Sequence, residues 1–434
     1  MANKNIILVV IMITFLLWFC QLSTTSFSFA YPLVPAIYAF GDSLADVGNN
    51  NYLVFSVVKA NFPHNGIDFP TKKSTGRFCN GKNAIDLLAE KVGLPYSPPY
   101  LSTLYKLEQR SKNFLTGVNF ASGGSGILNQ TNHQYSLCLT KQVSSFVKVH
   151  EALSKQLGAS GLNQHLSKSL FVTVTGSNDV FSYFGSADLR NKTTLRQYIN
   201  SMVVTFKGQV KSLCLTKQVS SFVKVHEALS KQLGASGLNQ HLSKSLFVTV
   251  TGSNDVFSYF GSADLRNKTT LRQYINSMVV TFKGQVKFVI VGIGVIGCTP
   301  SERKSNKAEQ CNEEVNSVAV RYNEALTSML KSLKVEQKGF IYSYFDGYSV
   351  MQNAIHKPAT YGFSEVKAAC CGLGKLKADV YCLPVSKVCS NRSSHLFWDA
   401  NHPTESAHRL FVDYIFGGSS PYTFPLNVKQ LIST

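Results

Sequence analysis

The sequence predicts an α/β fold with three layers, in which a parallel sheet of about five strands lies between two layers of helices. Short apolar runs, typical of strands buried on both faces, alternate along the chain with longer amphipathic runs. The composition, 44% hydrophobic and 15% charged, is that of a globular protein. Alternating strands and helices produce a layered fold, because each crossover helix packs on one face of the sheet.

The first element is an apolar N-terminal run that is too short to span a bilayer. Residues Ile6–Cys20 are apolar except for Thr14, and small residues follow up to Ala30. This pattern predicts a signal peptide, residues 1–30, followed by a mature chain 31–434 that is secreted to the extracellular space or apoplast. A signal anchor is the alternative. No later segment is long and apolar enough to span a membrane.

The mature part contains five candidate strands, each bounded by turn residues or by amphipathic runs. They are Ala36–Phe40, Gly117–Ala121, Leu170–Val174 (or Leu246–Val250), Phe288–Val291 and Phe340–Tyr344. A helix is predicted between the last two strands, where apolar residues recur with a period of 3.6. These apolar residues are Cys311, Val315, Val318, Tyr322, Leu326 and Met329.

The middle of the chain contains an internal repeat. Residues 136–211 and 212–287 are identical at every position, which indicates a recent tandem duplication or an error in the assembled sequence. Each copy contains a candidate strand between two helical stretches, Thr140–Leu157 and Thr194–Val210 in the first copy. We expect one domain, 31–434, in which one copy fills the central strand position. The other copy then adds an edge strand or is looped out.

Candidate catalytic residues follow the strands, where parallel α/β sheets place their ligands. Gly41-Asp42-Ser43-Leu44 follows the first strand, so that Ser43 lies near the start of a helix whose free N–H groups can hold an oxyanion. An N-capping serine is the structural alternative.

Two further motifs offer groups that can stabilise an oxyanion. A glycine-rich turn that includes Gly123 and Gly124 follows the second strand, and Gly-Ser-Asn-Asp follows the third, with its asparagine at Asn178 or Asn254. Backbone N–H groups of glycines and a side-chain amide can donate to an oxyanion. The alternatives are an ordinary turn and an Asx turn that caps a helix.

A carboxylate and an imidazole lie three residues apart near the C-terminus. Asp399 and His402 share a loop that contains Pro403, and a carboxylate at this spacing can hold the imidazole in the tautomer that faces a nucleophile. A structural or exposed histidine is the alternative.

Residues 292–297 match the G-x-G-x-x-G pattern of dinucleotide-binding loops. That pattern requires a helix to begin at its glycines, whereas Cys298-Thr299-Pro300-Ser301 follows here. The sequence therefore favours no nucleotide cofactor, and no cofactor of any kind is expected.

The cysteines and sequons agree with export. The pair Cys298 and Cys311 and the group Cys370, Cys371, Cys382 and Cys389 are typical of disulfide-stapled loops, and the spacing required for a metal site is missing. Glycosylation is predicted at four N-x-S/T sequons, Asn129, Asn191, Asn267 and Asn391.

The formal net charge is +19, but the basic residues are scattered singly. This distribution argues against a nucleic-acid partner and fits a solubility role or an anionic matrix or membrane surface. We expect a monomer that acts on a small-molecule or lipid ester.

Taken in order, these motifs resemble the GDSL esterase/lipase family, specifically the secreted plant branch of the SGNH hydrolases. The resemblance extends from about Ala36 to Pro425 and includes Gly76-Arg77-Phe78, the segment 292–300 and Cys370-Cys371-Gly372. It implies a flavodoxin-like α/β/α sandwich and a carboxylic ester hydrolase that degrades lipid or acyl esters. The family lacks the internal duplication.

The resemblance also implies roles for the candidate residues. Ser43 resembles the nucleophile and first oxyanion donor, His402 the general base and Asp399 its orienting partner. Gly124 resembles the second donor, with Gly123 as a one-residue alternative. The third donor maps equally well to Asn178 and to Asn254.

Two other functions stay open from the sequence. One is a catalytically inactive secreted protein associated with the cell wall or defence, whose site is misassembled by the repeat. The other is an acyltransferase that uses the same three residues.

Overall fold

Strand β1, Ile37–Gly41, shows why the sheet is covered on both faces. All five of its residues are buried. Tyr38 and Phe40 belong to one core cluster, whereas Ile37 and Ala39 belong to another. Because successive side chains of a strand point to opposite faces, each face of the sheet packs against its own apolar layer.

The computed structural model describes residues 31–105, 107–214, 286–336 and 340–434. Its main sheet has the order β1-β2-β3-β4-β9. The pairs among β1 to β4 are parallel, and β9 pairs antiparallel with β4. The other strands of this sheet are β2 (Leu170–Val174), β3 (Val286–Val291), β4 (Phe340–Phe345) and β9 (Thr423–Pro425).

Two small sheets lie beside the main one. One pairs β5 with β8, and the other pairs β6 with β7. Their strands are β5 (Glu365–Ala369), β6 (Cys371–Gly372), β7 (Lys387–Val388) and β8 (His395–Phe397).

The helices lie on both sides of the main sheet. In the first half of the chain they are α1 (Ala84–Lys91), α2 (Tyr100–Thr103), α3 (Leu107–Thr116), α4 (Leu139–Lys168), α5 (Ser177–Gly185), α6 (Ala187–Lys192) and α7 (Leu195–Cys214). In the second half they are α8 (Pro300–Lys304), α9 (Glu313–Glu336), α10 (Gly347–His356), α11 (Glu405–Gly417) and α12 (Val428–Ile432).

Two layers of helices therefore enclose the sheet, as the sequence predicts. Buried residues of α4, α7 and α9 share the core cluster of Tyr38 and Phe40. Those of α1, α11 and α12 share the cluster of Ile37 and Ala39. The described residues from Val34 onward belong to one compact unit. No helix in the described ranges is both long and apolar enough to cross a membrane.

The strand predictions agree with the structure except at one edge. Strand β2 has the predicted bounds, and β1, β3 and β4 differ from their predictions by one or two residues. The prediction of a strand at Gly117–Ala121 is wrong, because this segment forms only isolated bridges through Asn119. It runs beside β1, and Phe120 N–H donates to Ala39 O at 2.7 Å. Asn119 also bridges to Pro99, which has no N–H with which to extend a ladder.

Helix α9 confirms the predicted 3.6-residue period, since Val315, Val318, Tyr322, Leu326 and Met329 are all buried. Cys311 lies before the helix and is joined to Cys298 in a disulfide. Cys370–Cys389 and Cys371–Cys382 are the other disulfides within the described ranges. Each of these disulfides thus joins two cysteines of the same predicted group.

The first copy of the repeat supplies β2, which lies between β1 and β3. It also contains all of α4 and most of α7. The second copy supplies Val286 and Lys287 at the start of β3. Residues 215–285 lie outside the described part of the chain, and with them the alternative strand Leu246–Val250.

Candidate active site

Ser43 lies at the tip of β1, where the chain turns sharply. Asp42 N–H donates to Val174 O at 3.0 Å, and Ala45 N–H donates back to Asp42 O. Gly41 has φ +137°, and a Cβ there would lie 1.9 Å from Val174 O. A glycine is therefore required for β1 to approach β2 closely enough to place Ser43 at the sheet edge.

His402 bridges Ser43 and Asp399. Its Nε2 lies 2.8 Å from Ser43 Oγ, although the two residues are 359 positions apart. Its Nδ1 lies 2.8 and 2.9 Å from the two oxygens of Asp399. When Nδ1–H donates to Asp399, the lone pair of Nε2 faces the hydroxyl of Ser43, and the hydroxyl can donate its proton to it.

The loop that carries Asp399 and His402 is held by its own backbone. The N–H groups of Asn401 and His402 both donate to Asp399 Oδ1, and Trp398 N–H donates to His402 O. Cys371 N–H donates to Trp398 O, which ties the loop to the disulfide-bonded segment beside it. The imidazole is thereby fixed relative to Ser43.

Phe78 fixes one face of the His402 ring. The two ring centroids lie 5.0 Å apart at an angle of 34°. The same ring limits the glycine turn, because a Cβ at Gly123 would lie 2.6 Å from Phe78. Phe78 packs against the His402 ring and so orients the imidazole. Phe78 also lies against Gly123, which restricts position 123 to glycine.

Burial and charge set the protonation states of the group. Burial lowers the pKa of His402, but the charge and hydrogen bond of Asp399 outweigh it, and the net pKa lies above the ordinary value of 6.5. Burial raises the pKa of Asp399, but the charge of His402 and the hydrogen bonds outweigh it and leave a lowered pKa. An ionised Asp399 thus stabilises the imidazolium that forms when His402 accepts a proton.

The candidate oxyanion donors differ in whether their N–H groups are already hydrogen-bonded. The N–H groups of Ser43 and Gly124 make no hydrogen bond within the described residues, whereas Gly123 N–H donates to Asp46 Oδ2 at 3.0 Å. This favours Gly124 over Gly123 as an oxyanion donor. Asn178 Nδ2 donates to Ser125 O at 2.9 Å, which leaves its second N–H free. Asn254, the equivalent residue in the second copy, lies outside the described residues.

Asp46 holds the two loops that carry these donors. Its carboxylate accepts the N–H groups of Gly48, Asn49 and Gly123. Burial raises its pKa to about 6, because the backbone N–H donors offset only part of the desolvation. No role was predicted for Asp46, although it lies only three residues after Ser43.

Asp179 and Gln142 also position the glycine turn, and neither role was predicted. Asp179 accepts the N–H groups of Ile127 and Leu128 and the hydroxyl of Thr131. The side chain of Gln142 exchanges two 2.8 Å hydrogen bonds with the backbone of Gly41. Asp179 belongs to the Gly-Ser-Asn-Asp motif, whereas nothing in the sequence around Gln142 signals its role.

The glycine-rich segment that follows β3 is not a helix start. A short turn covers Ile296–Cys298, and α8 begins only at Pro300. The segment is held by Asn323, whose side chain accepts from Ile293 N and donates to Ile293 O. The helix that a dinucleotide fingerprint requires at its glycines does not begin there.

Among the sequons, Asn129, Asn191 and Asn391 are exposed, and Asn267 lies outside the described residues. No group of three residues suited to a metal ion occurs within the described ranges. The glycosylation prediction stays untested.

A family model and several known proteins match this chain. The family model described as GDSL-like Lipase/Acylhydrolase matches residues 37–237 and again 215–415. The two matches overlap at residues 215–237, within the second copy of the repeat.

Proteins of similar length from Arabidopsis thaliana match most of the chain. GDSL esterase/lipase At5g55050 is 42% identical over 92% of this chain and 90% of its own. GDSL esterase/lipase At5g37690 is 31% identical over 89% of this chain and 91% of its own. GDSL esterase/lipase LTL1 is 28% identical over 91% of this chain and 90% of its own.

Proposed function

Because the chain belongs to the GDSL-like lipase/acylhydrolase family and is a carboxylic ester hydrolase, we propose that it acts through a Ser43–His402–Asp399 triad. The observation that carries this proposal is the 2.8 Å contact between Ser43 Oγ and His402 Nε2. A hydroxyl has a pKa far above neutrality, so it becomes a useful nucleophile only when a neighbouring base accepts its proton.

The first half of the reaction forms an acyl-enzyme. Ser43 Oγ attacks the ester carbonyl while its proton moves to His402 Nε2, and the carbonyl electron pair becomes an oxyanion. The N–H groups of Ser43, Gly124 and Asn178 donate to that oxyanion. The carbonyl then re-forms, the bond to the alcohol oxygen breaks, and His402 gives its proton to the leaving alcohol.

The second half releases the acid. A water molecule gives a proton to His402 Nε2 as its oxygen attacks the acyl carbon. The second tetrahedral oxyanion collapses, the bond to Ser43 Oγ breaks, and His402 returns the proton to Ser43. Asp399 stays ionised throughout and stabilises the imidazolium formed in each half.

We also propose that the enzyme is secreted and acts extracellularly after removal of residues 1–30. Disulfides at Cys298–Cys311, Cys370–Cys389 and Cys371–Cys382 support this, since such bonds persist in oxidising compartments. Exposed sequons at Asn129, Asn191 and Asn391 are accessible for glycans.

Hydrolysis of p-nitrophenyl acetate and butyrate by the purified protein tests the proposed chemistry. We expect Ser43→Ala and His402→Ala to lower kcat by at least about 10³-fold. Ser317→Ala is the matched control, because that serine is exposed on α9 and bonds only locally to Glu314 O. Equal rates for wild type and Ser43→Ala, or no turnover by folded wild type, would contradict the proposal. Preferential transfer of the acyl group to an added alcohol would identify a transferase.

A further inference from the structure

Six large apolar side chains are exposed close to the motif that contains Ser43, and we call them the apolar patch. Its members are Tyr52, Val54, Phe55, Val57, Leu104 and Tyr105. Val54, Phe55 and Val57 are 83%, 84% and 79% exposed, so they project from the surface. The rings of Tyr52 and Tyr105 stack with centroids 5.7 Å apart, which joins the two parts of the patch. A contiguous exposed apolar surface of this kind marks an interaction site.

The loop that carries the apolar patch borders the candidate active site. The side chain of Asn50 ties this loop to the glycine turn, because its Nδ2 donates to Val58 O and to Gly123 O, each at 2.8 Å. A Cβ at Gly124 would lie 3.6 Å from Val58. The patch is therefore anchored beside the turn that supplies a proposed oxyanion donor.

A second exposed apolar segment, residues 380–385, is linked to the same loop. It lies in a loop that a disulfide closes, and its exposed apolar residues are Val380, Tyr381, Leu383 and Val385. Nε2 of His64 lies 3.2 Å from Pro384 O. The next residue, Asn65, accepts a hydrogen bond from Nε1–H of Trp398 at 2.9 Å. Trp398 directly precedes Asp399, so segment 380–385 is connected to the side of the site that carries the imidazole.

The two exposed segments are flanked by positive charge. Residues 52–65 and 380–390 contain no aspartate or glutamate but include Lys59 and Lys387. The carboxylate nearest in sequence to the second range, Asp379, lies 3.7 Å from a lysine at the end of α8. This local balance has the sign of the whole chain, whose formal net charge is +19.

Charge decides between two occupants of this surface, a second copy of the chain and a lipid layer. A symmetric dimer places the same surface of each copy face to face, so the lysines of one copy would approach those of the other. Anionic lipid headgroups attract lysines, and the acyl chains beneath them accept projecting apolar side chains. An anionic lipid layer therefore matches both the charge and the apolar character of the surface.

We propose that the apolar patch, together with residues 380–385, docks this protein on an anionic lipid surface, with Val54, Phe55 and Val57 entering the lipid layer. Docking then brings esters of that layer next to Ser43. The inference deepens the proposed function and rests on it for this last step, whereas the docking itself does not require Ser43 to react.

Sedimentation of the purified protein with lipid vesicles tests the proposal. The vesicles consist of ether-linked phosphatidylcholine with about one quarter ether-linked phosphatidylglycerol, which supplies the anionic charge. Ether-linked lipids have no acyl ester to hydrolyse, so binding is measured without turnover. We expect wild type to bind these vesicles and to bind phosphatidylcholine vesicles about fivefold or more less tightly, since each lysine near an anionic surface contributes about that factor.

Val54→Ser and Phe55→Ser are each expected to weaken vesicle binding about fivefold or more, because each removes an apolar side chain from the lipid. Val335→Ser is the matched control. Val335 is 83% exposed, as Val54 is, but it lies near the end of α9, before the amino end of β4. The candidate site lies at the carboxyl ends of the strands, so Val335→Ser binds vesicles as wild type does.

Lys387→Gln tests the contribution of charge. It is expected to weaken binding to the anionic vesicles about fivefold and to leave binding to phosphatidylcholine vesicles unchanged. Lys331→Gln, at an exposed position on α9, is the control and keeps wild-type binding. Thermal unfolding of each variant close to the wild-type midpoint shows that lost binding is not lost folding.

The outcomes separate this inference from the proposed function. Equal vesicle binding by wild type, Val54→Ser and Phe55→Ser would overturn the docking surface, and so would wild type that hydrolyses p-nitrophenyl acetate but binds no vesicles. The triad would stand in both cases. A dimer that Val54→Ser dissociates, without vesicle binding, would assign the patch to a second copy instead. Vesicle binding by folded protein that turns over no ester would support the docking surface and contradict the proposed function.

Discussion

Two carboxyl groups act on His402, and they set the pH at which it can work. His402 must be neutral to accept the proton of Ser43. Asp399, which contacts its Nδ1, raises the pKa of His402, and the charge of the buried Asp42 carboxyl raises it further. Burial raises the pKa of Asp42 to about 7. A raised pKa keeps His402 protonated to higher pH, so the activity must rise with pH through a value above 6.5.

Asp399→Asn is predicted to move this rise to lower pH and to lower kcat by about 10³- to 10⁴-fold. The charge that raises the pKa of His402 is lost, and the amide no longer holds the productive tautomer. The pH profile of kcat/KM measures both effects. Asp413→Asn, a change at an exposed carboxylate on α11, is the control and keeps the wild-type profile. An unshifted profile in Asp399→Asn would argue against the assigned role.

The identical copies of the repeat provide a matched test of the third oxyanion donor. Asn178→Ala is predicted to lower kcat by about 10²- to 10³-fold with little change in KM, as expected for a donor that acts in the transition state. Asn254→Ala, with the same neighbours in sequence, is predicted to leave kcat unchanged, since we propose that Asn178 is the donor. The reverse result would assign the donor to the second copy.

Sequence spacing predicted which side chains meet at the candidate site but not the residues that position them. Ser43, Asp399 and His402 stand in short motifs whose chemistry can be recognised locally. Gln142 binds the backbone of Gly41 across 101 residues. A contact of that separation depends on how α4 packs against β1, which a local pattern does not encode.

Among the elements, the pair Val-Lys shows how strongly tertiary context decides secondary structure. Val210-Lys211 ends the first copy within α7, whereas the identical Val286-Lys287 begins β3. In β3, Lys287 pairs with both β2 and β4, and Val286 pairs with β4. Valine favours strands, but propensity is a weak preference that packing overrides.

Deletion of residues 212–287 is predicted to give a folded and active enzyme. Lys211 then precedes Phe288 directly, and Val210-Lys211 takes the place that Val286-Lys287 has in β3. We expect kcat/KM for p-nitrophenyl butyrate within about twofold of wild type, because the first copy contains β2, α5 and Asn178. Thermal unfolding and turnover measure the result. Loss of the folded state would show that the second copy is required.

For the whole molecule, the sequence predicted the buried centre of the sheet better than its edges. Strands β1 to β4 are nearly continuous apolar runs, and that pattern predicts their bounds to within one or two residues. Strand β9 has three residues including Pro425, pairs antiparallel with β4, and has no comparable signal. Edge elements depend on which chain segment happens to lie beside the sheet, so apolar patterning does not identify them.

The roles proposed for the two ends of the chain depend on one another. The carboxyl end of β1 supplies Ser43, and the loop after β8 supplies Asp399 and His402. Buried layers on both faces of the sheet hold these ends in one place. Activity therefore reports the integrity of the whole fold.

Covalent labelling with a fluorophosphonate, followed by peptide mapping, tests the central claim most directly. We predict one phosphonyl group per molecule, bonded to Ser43, with labelling slowed strongly in His402→Ala and absent in Ser43→Ala. A label on another residue, or an unlabelled Ser43 in protein that hydrolyses esters, would contradict the account.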